Sequence, residues 1–324
     1  MSVSNSEVLV TGGAGFIGSH LVDALLKNGN RVICLDNFST GRRENLADAL
    51  KKNSFRLVEG DIRDRSVCRE VMKGVKVVFH EAALGSVPRS IADPAESTSV
   101  NVAGFVNILH AAVEAEVESF VYASSSSVYG DEEKLPKQEE RIGTALSPYA
   151  VTKYADELFA ANFAAVYGLK ITGLRYFNVF GPRQDPKGAY AAVIPRFVTA
   201  LLRNESPVIF GDGTNSRDFT YVANVVSANM LAAARKTDGH RVYNVAAGGR
   251  TDLNELFALL KNDLLEKGVP CGGVDVKYAP CRAGDIPHSF ADISRAEEEL
   301  GYRVLFSIKE GIREMTGYYV ENFS

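Results

Sequence analysis

The four cysteines are too few and too scattered for a disulfide framework or a zinc site. Cys34, Cys68, Cys271 and Cys281 include no pair at CxxC spacing and have no neighbouring His pairs, the patterns on which zinc sites are commonly built. They read as reduced thiols, and no metal site is expected. No basic run is longer than Arg42-Arg43 or Lys51-Lys52, and 36 Lys plus Arg stand against 40 Asp plus Glu for a formal charge of −4. That balance argues against nucleic acid or an anionic membrane as the main partner, while leaving single arginines for small anionic ligands. No apolar stretch reaches the roughly 18 residues of a membrane span. Residues 1–7 lack a basic segment followed by an apolar one, so no signal peptide is read and a cytoplasmic location is expected. What remains is a globular composition, 46% apolar over 324 residues, enough for about two domains at roughly 150 residues each.

From residue 8 to about 175 short β-branched runs alternate with longer helical patterns, the signature of parallel βαβ units. Strands are predicted at Val8-Val10, Val32-Leu35, Phe55-Glu59, Val75-His80, Ser119-Ser124 and Lys170-Arg175, with helices over Gly15-Lys27, Asp64-Met72, Ala95-Ala115 and Pro148-Tyr167. Right-handed crossovers put such helices on both faces of one sheet, a Rossmann-type doubly wound α/β fold. Beyond Arg175, Pro and Gly become the main punctuation. Helices near Ala191-Leu202, Val222-Ala234 and Leu253-Glu266 are the firmest elements there. If the β-like run Tyr243-Val245 returns to the main sheet, the domains are discontinuous: residues 1–177 with about 218–248 as the dinucleotide-binding domain, and about 178–217 with 249–324 as a smaller α/β substrate domain.

The first strand runs into Gly12, Gly15 and Gly18 and then into an apolar helix (Ile17, Leu21, Leu25). This spacing permits a tight turn, close approach of a pyrophosphate, and helix N–H groups aimed at it. Three glycines alone are equally a plain turn. Asp36, which ends the second strand 24 residues after Gly12, adds a carboxylate suited to both adenosine ribose hydroxyls. A carboxylate there repels a 2′-phosphate, which favours NAD over NADP. Asp61, after the third strand, falls beside the adenine position or is a solvated turn residue.

Ser147-Pro148 opens a helix with a capping hydroxyl and a Pro at its first position. Tyr149 and Lys153, four apart, share one face of it. A tyrosine, with a reference pKa of about 10, becomes a base at neutral pH only if cations stabilise its phenolate. Lys153 and an oxidised nicotinamide ring are two such cations. The pair also occurs by chance on helix surfaces. Upstream, Ser124-Ser-Ser-Ser127 ends a strand. It is either a flexible loop or a source of hydroxyls at the ligand-facing edge of the sheet.

Taken in order, Thr11-Gly-Gly-Ala-Gly-Phe-Ile-Gly18, the serine segment, Tyr149 with Lys153, and Leu174-Arg-Tyr-Phe-Asn178 resemble the extended short-chain dehydrogenase/reductase family, and within it the UDP-hexose 4-epimerases. Leu84-Gly-Ser-Val-Pro-Arg-Ser90 and the stretch from Gln184 to Val193 resemble the branch acting on UDP-N-acetylglucosamine. The resemblance implies a catalytic Ser125, Tyr149 and Lys153. It implies NAD contacts from Gly12, Gly15, Phe16, Ile17, Gly18, Asp36, Asn37, Ser39, Thr40, Gly41, Asp61, Ile62, Ala82, Ala83, Asn101, Tyr149, Lys153 and Tyr176. For the substrate it implies Ser86, Ser125, Ser126, Ser127, Tyr149, Asn178, Ala192 and Val193, with Arg217 and Arg282 on the diphosphate. Ser289 falls at the wall beside the sugar C2 substituent, where a bulky tyrosine restricts some relatives. Glu81 departs from the pattern, at a position where many relatives carry an apolar or amide residue.

These roles imply C4 epimerisation of UDP-hexoses through a 4-keto intermediate, with acetylated and non-acetylated pairs as substrates. A nucleotide-sugar 4,6-dehydratase would want an acidic pair beside the serine. A UDP-uronic acid 4-epimerase or decarboxylase would want an extra cation, for which Arg89 is a candidate. A non-catalytic NAD-sensing protein would need neither Tyr149 nor Lys153. The resemblance also implies a homodimer built on the helices near Ala95-Ala115 and Pro148-Tyr167, with Val102, Phe105, Leu109, Phe159, Phe163 and Val166 either at its interface or in the intrachain core.

Overall fold

Strand residues that are apolar on both faces need cover on both faces, and that cover organises the molecule. The computed structural model describes residues 3–186, 192–235, 237–281 and 287–323. Six strands alternate with helices: β1 (Glu7–Thr11), α1 (Phe16–Lys27), β2 (Arg31–Asp36), β3 (Phe55–Glu59), α2 (Arg65–Met72), β4 (Val77–His80), α3 (Val87–Ala92), α4 (Pro94–Thr98), α5 (Phe105–Glu114), β5 (Ser119–Ser125), α6 (Pro148–Tyr167) and β6 (Ile171–Tyr176). There follow β7 (Val179–Phe180), α7 (Val193–Leu202), β8 (Val208–Phe210), β9 (Ser216–Arg217), β10 (Thr220–Tyr221), α8 (Val222–Arg235) and β11 (His240–Val245). The chain closes with β12 (Thr251–Asp252), α9 (Leu253–Glu266), β13 (Lys277–Ala279), β14 (His288–Ser289) and α10 (Ile308–Phe323).

The main sheet is parallel, in the order β11-β6-β5-β4-β1-β2-β3. The strand order reverses between β1 and β4, and a crevice opens at the carboxyl ends there. Alternation along β1 divides the core: Val8 and Val10 pack with Leu21 and Val22 of α1 and Val225 and Ala228 of α8. Leu9 faces the other way, into a cluster with Cys68 of α2, Ile108 and Leu109 of α5 and Ala160 and Phe163 of α6. The run from His240 to Val245 does return to the main sheet, beside β6. All four cysteines are unpaired.

A third cluster joins α7, α9 and α10 through Ile194, Leu201, Leu256, Leu260, Ile312, Met315 and Tyr319. Around it lie short pairings: β7 with β10, β8 with β13, and β9 between β12 and β14. α10 sits so close that a Cβ on Gly311 would come within 2.8 Å of Phe180 and Tyr221.

Besides the short strands of the second half, which the sequence reading did not give, three α-helical regions differ from it. The helix expected over Ala95-Ala115 is broken into α4, a wide π-type turn over Ser99–Gly104, and α5. The turn presents the buried Asn101 to the loop after β4: its Oδ1 accepts from the Leu84 N–H at 2.8 Å, and its Nδ2 donates to the Thr152 hydroxyl at 3.1 Å. A continuous α-helix would forgo that local widening, which π-bulges supply at functional sites. α3 was not foreseen, because only six residues follow its Ser86 cap. α10 was hidden by Gly311 and Gly317, which dilute its apolar periodicity.

Candidate active site

The turn after β1 is held by its own backbone. The Gly12 N–H donates to Leu35 O at 2.8 Å and the Gly15 N–H to Gly12 O at 3.0 Å. Gly12 has φ +68°, and a Cβ on it would lie 2.6 Å from the Ala82 nitrogen; one on Gly18 would lie 2.2 Å from Gly12 O. No side chain caps α1 at Gly15. The first N–H groups of that helix therefore face the crevice unsatisfied, the arrangement that receives a phosphate.

Asp36, buried at the end of β2, accepts from the Ala14 N–H at 2.9 Å and the Phe38 N–H at 2.8 Å. Burial raises its pKa, and those two donors work against the rise. Asn37, Ser39 and Thr40 continue the wall, with Ile62 opposite. The cradle and this carboxylate fit a dinucleotide with a free ribose diol. Asp61 lies between Gly60 and Ile62 of the crevice wall, where Arg63 grips it at 2.7 and 3.0 Å and Asn37 Nδ2 at 2.9 Å. The Arg63 hydrogen bonds hold its carboxyl well below the usual range. Gly41 supports the wall from behind, since a Cβ on it would meet the Ala14 Cβ at 2.9 Å.

A cavity of about 450 Å³ runs from this turn across the switch point to Tyr149, Lys153, Tyr176, Asn178 and Gln184. Phe16, Ile17, Ala82, Ala83 and Ser125 line it as well. α6 supplies Tyr149 and Lys153 because Ser147 caps it, accepting from the Ala150 N–H at 3.1 Å, with Pro148 at its first position. The Tyr149 N–H also donates to the buried Ser90 hydroxyl at 3.0 Å, tying α6 to α3. Among the described residues the Tyr149 hydroxyl has no hydrogen bond. Lys153 is buried and donates to Ala123 O at 3.0 Å and to Asp156 Oδ2 at 3.2 Å. Burial opposes its charge, but Asp156 and Tyr149 outweigh it, so Lys153 stays protonated. Burial pushes Asp156 up to about 7, and its Oδ1 has no partner.

The serine segment divides its work. Ser124 is structural: its hydroxyl donates to Glu157 Oε1 at 2.6 Å. Glu157 is in turn held by Arg175 through two bonds, at 2.8 and 2.7 Å, with both side chains buried. The Ser125 hydroxyl accepts from the Ser127 hydroxyl at 2.9 Å and the Ser127 N–H at 3.1 Å. Ser126 and Ser127 form the short turn that follows, off the cavity wall.

Sequence reasoning left Glu81 without a role, yet it lines the cavity. The Tyr176 hydroxyl donates to its Oε1 at 2.7 Å while accepting from Asn229 Nδ2 at 2.8 Å. Burial pushes the Glu81 carboxyl up to about 7, with Tyr176 and Lys153 opposing. Ser124, Leu84, Gly85 and Gln184, from segments that the sequence singled out without giving each a role, line the cavity too, and so does Val100, which nothing in local spacing marks. Asn101 braces the cavity-lining Leu84, accepting from its N–H at 2.8 Å and donating to its carbonyl at 3.3 Å.

Of the expected sugar-side residues, Ser125, Tyr149 and Asn178 line this cavity, and the others surround it less closely. Ser86 caps α3, accepting from the Arg89 N–H at 3.2 Å. Ala192 and Val193 open α7. Asn178, with φ +36°, donates to Asp218 O at 3.1 Å. Arg217 and Ser289 are register partners across β9 and β14, and the Arg217 guanidinium donates to Ser216 O at 2.9 Å and Pro287 O at 3.2 Å. Arg282 lies outside the described residues.

A parallel doubly wound sheet, a glycine cradle at its switch point and a Tyr/Lys face in the same crevice define a dinucleotide-dependent enzyme of the short-chain dehydrogenase/reductase type. The sequence profile of the NAD dependent epimerase/dehydratase family matches residues 8–246, and the chain belongs to that family. It is 39% identical to a protein of Methanocaldococcus jannaschii named as a putative UDP-glucose 4-epimerase, over 97% of this chain and 99% of that one. UDP-glucuronate 4-epimerase 4 of Arabidopsis thaliana is 34% identical, over 98% of this chain and 76% of its own length. The UDP-N-acetylglucosamine 4-epimerase of Methanobrevibacter ruminantium, solved with UDP-N-acetylmuramic acid, superposes with a TM-score of 0.93 at 39% identity, covering 99% of this chain and all of that one. The chain is thus an NAD-dependent enzyme whose relatives are 4-epimerases, a class of isomerase. Among the described residues no helix is long and apolar enough to cross a membrane.

Proposed function

We propose that the chain inverts C4 of UDP-N-acetylglucosamine and UDP-N-acetylgalactosamine, and also accepts UDP-glucose and UDP-galactose. The observation that carries this reading is the Tyr149 hydroxyl, without a hydrogen bond among the described residues, in the same crevice as the glycine cradle and one helical turn from the buried, protonated Lys153. Tyr149 as phenolate takes the proton of the C4 hydroxyl, and Lys153 stabilises that phenolate. NAD, which the glycine turn and Asp36 would hold, would supply the acceptor and the source of the C4 hydride. Ser125 offers a second hydroxyl to the same oxygen. The 4-keto sugar must turn its other face without leaving, so Arg217 and Arg282 keep hold of the diphosphate while the sugar rotates, with Asn178 beside it.

Support for the acetylated pair comes from Ser289, which β14 aligns with Arg217 of β9. A serine there leaves room where a tyrosine ring would not. The superposition on a UDP-N-acetylglucosamine 4-epimerase supports it further. Both substrate pairs are to be compared in wild type and Ser289→Tyr. The reading expects the acetylated reaction to fall ~10–100-fold while the non-acetylated one stays measurable. Equal losses, or none, remove Ser289 as the gate. UDP-glucuronate is included in the same assay because of the plant relatives and Arg89; preferred turnover of it would replace the acetylated reading.

The proposed division sets residues 1–177 with about 218–248 as the NAD domain and the rest as the sugar domain, in keeping with β11 and α8 packing on the main sheet. The functional unit is proposed as a cytoplasmic homodimer, in keeping with the unpaired cysteines and with α6. Phe105, Leu109 and Phe163 belong to the chain's own core, so they cannot serve an interface. Val151, Leu158 and Val166, exposed by 55%, 56% and 62%, stand on α6 with Tyr154 and Phe159. An apolar set of this kind fits a second copy. Sedimentation at low concentration should give a dimer, and a monomer would refute it.

A further inference from the structure

Glu81 is a half-buried carboxyl that the epimerisation scheme leaves idle. Its backbone packs against the glycine turn: its N–H donates to Thr11 O at 3.1 Å, and its carbonyl carbon would be 2.8 Å from a Cβ on Gly12. The side chain reaches across the strand ends to Tyr176 of β6, which Asn229 of α8 fixes from behind. With the Tyr176 proton committed to Oε1, no protein donor among the described residues reaches Oε2. Facing Glu81 are the Tyr176 hydroxyl and, from α6, the Lys153 ammonium. The neighbouring His80 points the opposite way, its Nδ1 hydrogen-bonded to Thr11 and its ring against Phe105 and Phe120. Lys153 is itself balanced by Asp156, so the cavity has little positive charge left for a second carboxylate.

We propose that Glu81 is the charge-compensating group of the cofactor cleft, carrying a proton while Lys153 is the cation that faces it and releasing it to solvent when the oxidised, positively charged nicotinamide binds. The neutral, reduced form has no such charge and leaves the proton in place. The driving force is ordinary: a carboxylate too costly to desolvate beside one shared lysine becomes affordable beside a second cation. Desolvation puts the free carboxyl near pH 7, where binding and proton release are linked. The inference rests on NAD occupying the cleft, and not on the role of Tyr149.

The test is calorimetric titration of the full-length chain with NAD⁺ and with NADH, in two buffers of different ionisation enthalpy. For a carboxyl moved down by one pH unit or more, NAD⁺ binding at pH 7 should release about 0.4 proton, and NAD⁺ affinity should rise about fivefold from pH 6 to pH 8. NADH should show neither effect. Because the nicotinamide charge also favours the Tyr149 phenolate, the Glu81 share is read in a Tyr149→Phe background, which should retain it. Adding Glu81→Gln there preserves an acceptor for Tyr176 and should abolish both effects. Tyr176→Phe keeps Glu81 but removes the donor that favours its ionised form, so the release should move to higher pH. Equal proton release for the two cofactors, or undiminished release in Glu81→Gln, would overturn the proposal.

Discussion

The two sides of the crevice are built differently. The cofactor side is made of backbone: Gly12 and Gly18 admit no Cβ, and the ends of β1, β4 and β5 in one continuous sheet fix the wall. Beneath it lies a buried polar network in which Arg175 holds Glu157, stacks over Tyr129 and donates to Glu139 O, while Glu157 holds Ser124. The proposed sugar side rests on two-residue strands, β9 and β14, and on individual side chains. A backbone cradle with a buried foundation fits any dinucleotide of one class. Side chains on short strands can be exchanged without disturbing it, which is how one scaffold serves different sugars.

That contrast can be broken at several points. Tyr149→Phe should have the largest effect, a fall in kcat of ~10³-fold, with NAD and UDP-sugar binding little changed by calorimetry. Turnover close to wild type would remove Tyr149 from the chemistry. Arg175→Ala should come next. It leaves the Glu157 carboxylate buried and unpaired, so chemical denaturation should show a loss of about 3–5 kcal/mol; a loss below about 1 kcal/mol would mean that the network is no foundation. Smallest is the effect of Glu81→Gln on the cofactor-free chain. The folded carboxyl titrates near 7, above its unfolded value of about 4.3. Ionised Glu81 therefore costs stability, a cost absent below about pH 4 and fully present above about pH 7. Glu81→Gln should stabilise the chain by about 1–3 kcal/mol at pH 8 and by little at pH 4.5. An equal shift at both values would show that the gain is packing rather than charge.

The sheet was legible because each strand of the first half is a β-branched run bounded by turn residues. β3, α6 and α9 begin and end where spacing and caps put them. The break at Ser99–Gly104 was not legible: it answers to Leu84 and Thr152, residues far away in sequence. α10 escaped because its Gly311 is required by Phe180 and Tyr221, not by its own periodicity. Within the site, Gly12, Asp36, Tyr149 and Lys153 carry their chemistry in local spacing. Glu81, Tyr176 and Asn229 do not, since β4, β6 and α8 bring them together only in the fold. Asp61 lies between, at a strand end that its spacing marks, with an Arg63 pairing that only the fold displays.

The most direct test is NMR of the products formed from UDP-N-acetylglucosamine by the chain with NAD, with the cofactor's redox state followed in the same tube. The account predicts a C4-inverted UDP-N-acetylhexosamine approaching a fixed ratio from either side, with no net accumulation of NADH. A deoxygenated or decarboxylated product, a stoichiometric rise in NADH, or unchanged UDP-N-acetylglucosamine, UDP-glucose and UDP-glucuronate would contradict it.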